Sequence, residues 1–169
     1  FPGFTTRDVP VADSTVHART GGDGPPVLLL HGFPQTHAMW HHLAPVLAEE
    51  FTVVAADLRG YGGSRTSSED HTFRAMAADQ VQLMRALGHE RFSVVGHDRG
   101  ARTAHRMALD APGAVFTAFS TSGRYLWRFG TGGPVISSPA VAGPEFLRCL
   151  AGRLTPPWRR RSSGPAHRP

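Results

Sequence analysis

Asp98 stands at the centre of Gly96-His97-Asp98-Arg99-Gly100, and Arg102 follows three positions after Arg99. A carboxylate in such a place can displace a leaving group in line from saturated carbon and form an ester on the protein, whereas a serine would suit attack on a carbonyl. Glycine on both sides lets a strand turn sharply into a helix that packs close behind it. A substrate carrying its own negative charge beside the attacked carbon would be repelled by Asp98. Arg99 and Arg102 answer that problem, because side chains at i and i+3 of a helix are neighbours. Two guanidinium groups would clamp a substrate carboxylate, fix it for in-line attack and keep Asp98 ionised by their field. The expected partner is therefore a small anionic molecule.

Strand, Gly-x-nucleophile-x-Gly and helix together describe a nucleophile elbow, and such an arrangement needs oxyanion donors. His31-Gly32-Phe33-Pro34 directly follows the apolar run Val27-Leu28-Leu29-Leu30, where a loop can offer the backbone N–H of Phe33; the second donor is the N–H of Arg99. His97 and His105 read as packing or hydrogen-bonding residues, and Trp40 as core or pocket wall. His37, His41 and His42 imitate a metal cluster, but no carboxylate or thiol close in sequence completes it, so neither a metal nor a cofactor is expected. The single cysteine, Cys149, has no second thiol for a disulfide.

These residues must be positioned by alternating strands and helices. Thr5 to Val11 and Ser14 to Arg19 read as an opening strand pair around a turn at Ala12-Asp13. Val27 to Leu30 and Thr52 to Ala56 are short apolar runs suited to strands covered on both faces. A helix is expected over Met39 to Glu49. Another, capped by Thr72 and stopped at Gly88, is expected over Phe73 to Leu87. Phe92 to Val95 is the strand before the elbow, and Ala101 to Asp110 the helix behind it, ended by Ala111-Pro112. The expected fold class is α/β, with a mostly parallel sheet and flanking helices.

Past Val115 the pattern changes. Residues 116–169 hold seven Gly, seven Pro and eight Arg against one acidic residue, Glu145, with a possible helix only at Gly143 to Leu154. A Gly/Pro/Arg-rich tail without apolar periodicity is expected to be disordered. The formal charge of +5 belongs to this tail, since residues 1–115 carry 10 Arg against 12 Asp or Glu. A nucleic-acid surface is not expected: Arg159-Arg160-Arg161 has only Trp158 as aromatic company. No run approaches the roughly 20 apolar residues of a membrane span. No basic segment followed by an apolar run opens the chain, so a soluble, cytoplasmic protein is expected.

Three segments, His31-Gly32-Phe33-Pro34-Gln35-Thr36-His37-Ala38-Met39-Trp40, Asp57-Leu58-Arg59-Gly60-Tyr61-Gly62 and Gly96-His97-Asp98-Arg99-Gly100-Ala101-Arg102, together resemble the fluoroacetate (haloacetate) dehalogenases of the α/β-hydrolase superfamily. Haloalkane dehalogenases and soluble epoxide hydrolases share the elbow Asp but typically follow it with Trp; Arg99 and Arg102 favour the haloacid branch. The resemblance covers residues 1 to about 115. It implies Asp98 as nucleophile, Phe33 and Arg99 N–H groups as oxyanion donors, Arg99 and Arg102 as the carboxylate clamp, and no metal.

The same resemblance implies an acid and a water-activating His after the nucleophile. Beyond Val115 there is no Asp, and the only Glu and His are Glu145 and His167. The expected fold is therefore the amino-terminal part of the hydrolase core, without its later strands and cap, and an inactive truncated fragment is a reading to be weighed beside an enzyme. With permitted codons for Phe116 to Leu126, a frame two nucleotides later can give a strand and acid resembling the family's, so the tail is also a candidate out-of-frame product. The strand before Asp98 is then expected at a sheet edge, exposed to pairing with a second copy in a homodimer.

Overall fold

The computed structural model describes residues 1–120 and 125–128, with side chains through Val115. It has eight strands in one sheet, ordered β1-β2-β4-β3-β6-β7-β8, with the two-residue β5 beside β2. The strands are β1 (Thr5–Val11), β2 (Ser14–Gly21), β3 (Pro26–Leu30), β4 (Thr52–Ala56), β5 (Arg65–Thr66), β6 (Phe92–Gly96), β7 (Val115–Ser120) and β8 (Tyr125–Arg128). The centre, β4-β3-β6-β7, is parallel, and both flanks are closed by antiparallel strands. No helix among the described residues is long and apolar enough to cross a membrane.

The apolar runs are covered on both faces, as their composition dictates. Alternate residues of one strand point to opposite sides. Leu28 and Leu30 of β3, Val54 and Ala56 of β4 and Val94 of β6 therefore enter one core with Met76, Leu83, Met84 and Met107 from two long helices. Val27, Leu29, Val53, Ala55 and Val95 enter a second core with Trp40, Leu47 and Phe51. Trp40 is thus a core residue, buried on the face opposite the long helices.

The helices are α1 (Leu43–Leu47), α2 (Phe73–Ala86) and α3 (Arg99–Asp110). α2 begins where expected: the Thr72 hydroxyl accepts from the Ala75 N–H at 3.2 Å, and Gly88, at φ +88°, follows its end. The single helix expected over Met39 to Glu49 is instead a 3-10 turn at His37–Trp40 and the short α1. Pro45 gives the reason. It has no N–H to donate to the His41 carbonyl, so a helix running through both segments would lose a hydrogen bond at their junction.

A further difference concerns β6. It does not lie at an edge: Gly96 pairs with Leu30 of β3 on one side and with Ser120 of β7 on the other. Val115–Ser120, read from composition as the start of a structureless tail, is a strand, so the boundary drawn at residue 115 falls at its first residue. Two Phe with β-branched Val and Thr in Val-Phe-Thr-Ala-Phe-Ser suit a strand, and the open side of β6 supplies the hydrogen bonds. The exposed edge on which a homodimer was expected is thereby removed from β6. The hinted helix at Gly143 to Leu154, Cys149, Glu145, Arg159 to Arg161 and His167 lie outside the described residues.

Candidate active site

The register of β3 and β6 brings the catalytic candidates together. Leu30 is level with Gly96, and the His97 N–H donates to the Leu30 carbonyl at 2.9 Å. Both strands therefore end at the same height. Three residues past Leu30, the Phe33 N–H donates to Asp98 Oδ2 at 3.1 Å. Gly100 permits this closeness, because a Cβ there would stand 2.2 Å from the Leu30 carbonyl oxygen. Asp98 itself adopts φ +47°, an unfavourable conformation for a residue with a side chain, which costs on the order of 1–3 kcal/mol and marks the elbow.

Asp98 is exposed, so its carboxylate is reachable from solvent. The Phe33 N–H, with help from the Arg99 N–H, His97 and Arg102, holds its pKa below the ordinary carboxylate value against a smaller opposing effect of burial. The two backbone groups expected as oxyanion donors thus both act on the Asp98 carboxylate. Phe33 turns its side chain outward, 66% exposed.

Arg99 and Arg102 meet on one aromatic ring. Their guanidinium carbons lie 5.2 and 5.8 Å from the Phe73 ring centre, and Arg99 is also 5.8 Å from the Tyr61 ring. Cation–π attraction of this kind holds guanidinium groups without neutralising their charge. The Arg99 Nε is buried and has no hydrogen-bond partner, which leaves a donor for an acceptor from outside. Arg102 is exposed. In the sequence Phe73 is only the first residue of an expected helix. No spacing in the chain links it to Arg99, and only the fold sets α2 against α3. His105, read as a packing or hydrogen-bonding residue, is exposed and lines a groove with Phe73, Arg102 and Leu109; His97 is half-buried beside Asp98.

Behind the site, the Asp57 to Ser64 segment is an anchoring device. Burial pushes the Asp57 carboxyl up, but bonds from the His37 ring, the His37 N–H and the Gly63 N–H outweigh this and hold it below the usual range. His31 accepts the Leu58 N–H at Nε2 (3.0 Å) and donates from Nδ1 to the Gly32 carbonyl (2.9 Å). Its Nε2 has no proton to give, so the 3.7 Å approach to Asp57 is not an ion pair. Arg59 donates to Asp79 through Nε and Nη2, both at 2.7 Å, and to Asp13 at 2.6 Å. The expected grouping of His37, His41 and His42 divides. The rings of His41 and His42 lie 3.7 Å apart by centroid, whereas His37 turns to Asp57 and His17.

An elbow at the end of a central parallel strand, followed by a helix, defines the class, and comparison with known families agrees. Residues 25–145 match the model of the alpha/beta hydrolase fold, and the chain belongs to that family. The match runs past residue 115. Among particular relatives, a fluoroacetate dehalogenase of Burkholderia sp is 59% identical over 122 residues, 69% of this chain and 40% of that protein. A soluble epoxide hydrolase of Corynebacterium sp. (strain C12) is 43% identical over 95 residues, 56% of this chain and 33% of that protein. The solved structure of an epoxide hydrolase from an endophytic Streptomyces is 35% identical with a TM-score of 0.70, over 74% of this chain and 39% of that one. The chain therefore spans about two fifths or less of the length of these relatives.

Proposed function

We propose that the chain carries the nucleophile and substrate clamp for hydrolytic dehalogenation of a small haloacid, a haloacetate being the simplest, in the cytoplasm. The observation that carries this reading is the convergence of Arg99 and Arg102 on Phe73 at the opening of the helix that Asp98 caps. A paired cationic clamp beside a carboxylate nucleophile suits a substrate that is itself a carboxylate.

The chemistry follows from the geometry. Arg99 and Arg102 bind the substrate carboxylate and offset its repulsion from Asp98. The other carboxylate oxygen of Asp98, Oδ1, forms a bond to the carbon that bears the halogen, and the carbon–halogen bond breaks with its electron pair leaving as halide. The oxygen held by the Phe33 N–H becomes the ester carbonyl oxygen. When water adds to that carbonyl, the same N–H stabilises the negative charge that develops there. Collapse frees the hydroxy acid and regenerates Asp98. The water must lose a proton to a base, for which the sequence after Val115 offers Glu145 and His167.

Intact-mass measurement after incubation with chloroacetate or fluoroacetate, alongside halide release, tests the proposal. Catalytic halide release supports the complete cycle. One equivalent of halide with a stable ester on Asp98 supports the nucleophile and clamp in a chain that is inactive as a catalyst. The absence of both adduct and halide release overturns the reading. Epoxide hydrolysis is the second reading, favoured by the names of two of the relatives above; diol formation from an epoxide without halide release would establish it instead.

A further inference from the structure

We propose that His17, His37 and Asp57 form a site for a divalent transition-metal ion, zinc being the best fit, separate from Asp98. Each residue offers one ligand atom, and the three atoms lie within 4.8 Å of one another. Ligands of a tetrahedral zinc, at bond lengths near 2.1 Å, stand roughly 3.4 Å apart, so small side-chain shifts, opening the 2.9 Å His37–Asp57 pair and bringing His17 into range, would seat the ion. The site joins β2, the 3-10 turn and the end of β4, and β3 separates it from the strand that carries Asp98.

Its surroundings are those of a metal centre. His17 Nδ1 is 2.7 Å from Asp8 Oδ1, which fixes the ring and leaves Nε2 as the nitrogen for an ion; a carboxylate behind a ligating His is the usual supporting arrangement. His37 Nδ1 is 2.9 Å from Asp57 Oδ1, and an ion would take the place of the proton between them, which passes to solvent. Asp57 is fully buried and is held by the backbone N–H groups of His37 and Gly63, so it is set in place before an ion arrives. The His17 and His37 rings are 5.2 Å apart by centroid. Their side chains are 19% and 17% exposed, which gives an entry path and room for a water as fourth ligand.

Charge points the same way. Asp8 and Asp57 bring two negative charges to two imidazoles, and a divalent ion balances them. His31, also near Asp57, cannot join, because both its ring nitrogens are already bonded. Two imidazole nitrogens and one carboxylate favour zinc, cobalt or nickel over magnesium or calcium, which prefer oxygen alone.

The test is titration of the full chain with Co²⁺, read by visible absorption of the bound ion, and with Zn²⁺, read by metal content after gel filtration. We expect one chelator-reversible equivalent, lost in His17→Gln and His37→Gln and retained in His41→Gln and His42→Gln. Asp8→Asn, at an exposed residue that touches no ion, should weaken binding about 10- to 100-fold while the far-UV circular dichroism stays unchanged. That variant keeps the test valid if a ligand substitution prevents folding. The absence of saturable one-to-one binding would overturn the proposal. So would binding that survives Asp8→Asn at full strength, or binding lost with His41 or His42.

Discussion

The backbone N–H of Phe33 donates to Asp98 Oδ2 at 3.1 Å across 65 residues of chain. The bond ties the loop after β3 to the turn after β6, and it keeps the Asp98 carboxyl below its ordinary value. Asp98 is therefore ionised at any pH near neutrality. The rate of ester formation with chloroacetate, followed by intact mass, should be flat from about pH 5 upward and fall only below about pH 4, where the carboxylate takes up a proton. Asp98→Asn should form no ester at all.

Phe73 holds both guanidinium groups of the proposed clamp. At about 0.5–1 kcal/mol for each exposed cation–π contact, Phe73→Leu should raise the chloroacetate concentration for half-maximal ester formation roughly 5- to 30-fold, with a smaller change in the saturating rate. Arg99→Lys should do greater harm than its retained charge suggests, because the planar fork and its stacking are lost. Concentration series of ester formation separate the two effects.

His31 makes stability depend on pH. Burial holds its pKa below the ordinary histidine value of 6.5, so the folded chain keeps the ring neutral at a pH where the unfolded chain protonates it. Stability from this group is complete above about pH 6.5 and is lost as pH falls through that value toward the lower folded pKa. His89, also lowered by burial, acts in the same direction. The urea midpoint should therefore fall between pH 7.5 and 5.5 (about one unit either side of the free value), and His31→Asn should reduce that slope without abolishing it.

Arg59 and Asp79 are 3% and 0% exposed, and Asp79 raises the pKa of Arg59. Removing Asp79 leaves a buried guanidinium poorly matched. Asp79→Ala should cost about 3–5 kcal/mol in urea unfolding. Asp13→Ala, which removes a partner that is 45% exposed, should cost about 1 kcal/mol or less.

Much of the elbow was legible in the chain because its constraints are local. Gly96, Asp98 and Gly100 are close in sequence, and a buried strand before them and an apolar-faced helix after them define the turn without reference to distant residues. The strands β1 and β4 were legible to the residue for the same reason, since the turn at Ala12-Asp13 ends the first and an unbroken apolar run defines the second. The break between Trp40 and Leu43 was less so: the apolar spacing of Met39 to Glu49 fits a helix, and the missing N–H of Pro45 weighs against it.

The sequence by itself determined the residue types at the candidate site and the α/β class, because both rest on short-range patterns. Tertiary structure alone decided which residues those groups meet. Phe73 reaches Arg99 and Arg102 only because α2 packs on α3. His37 leaves His41 and His42 for Asp57 and His17 only because β2 and β4 are neighbours in the sheet. β6 gains β7 on its second side because strand edges seek partners, a demand that composition past Val115 does not display. Contacts between residues dozens of positions apart depend on strand order and register, and these are set by the burial of the whole sheet rather than by any one segment of it.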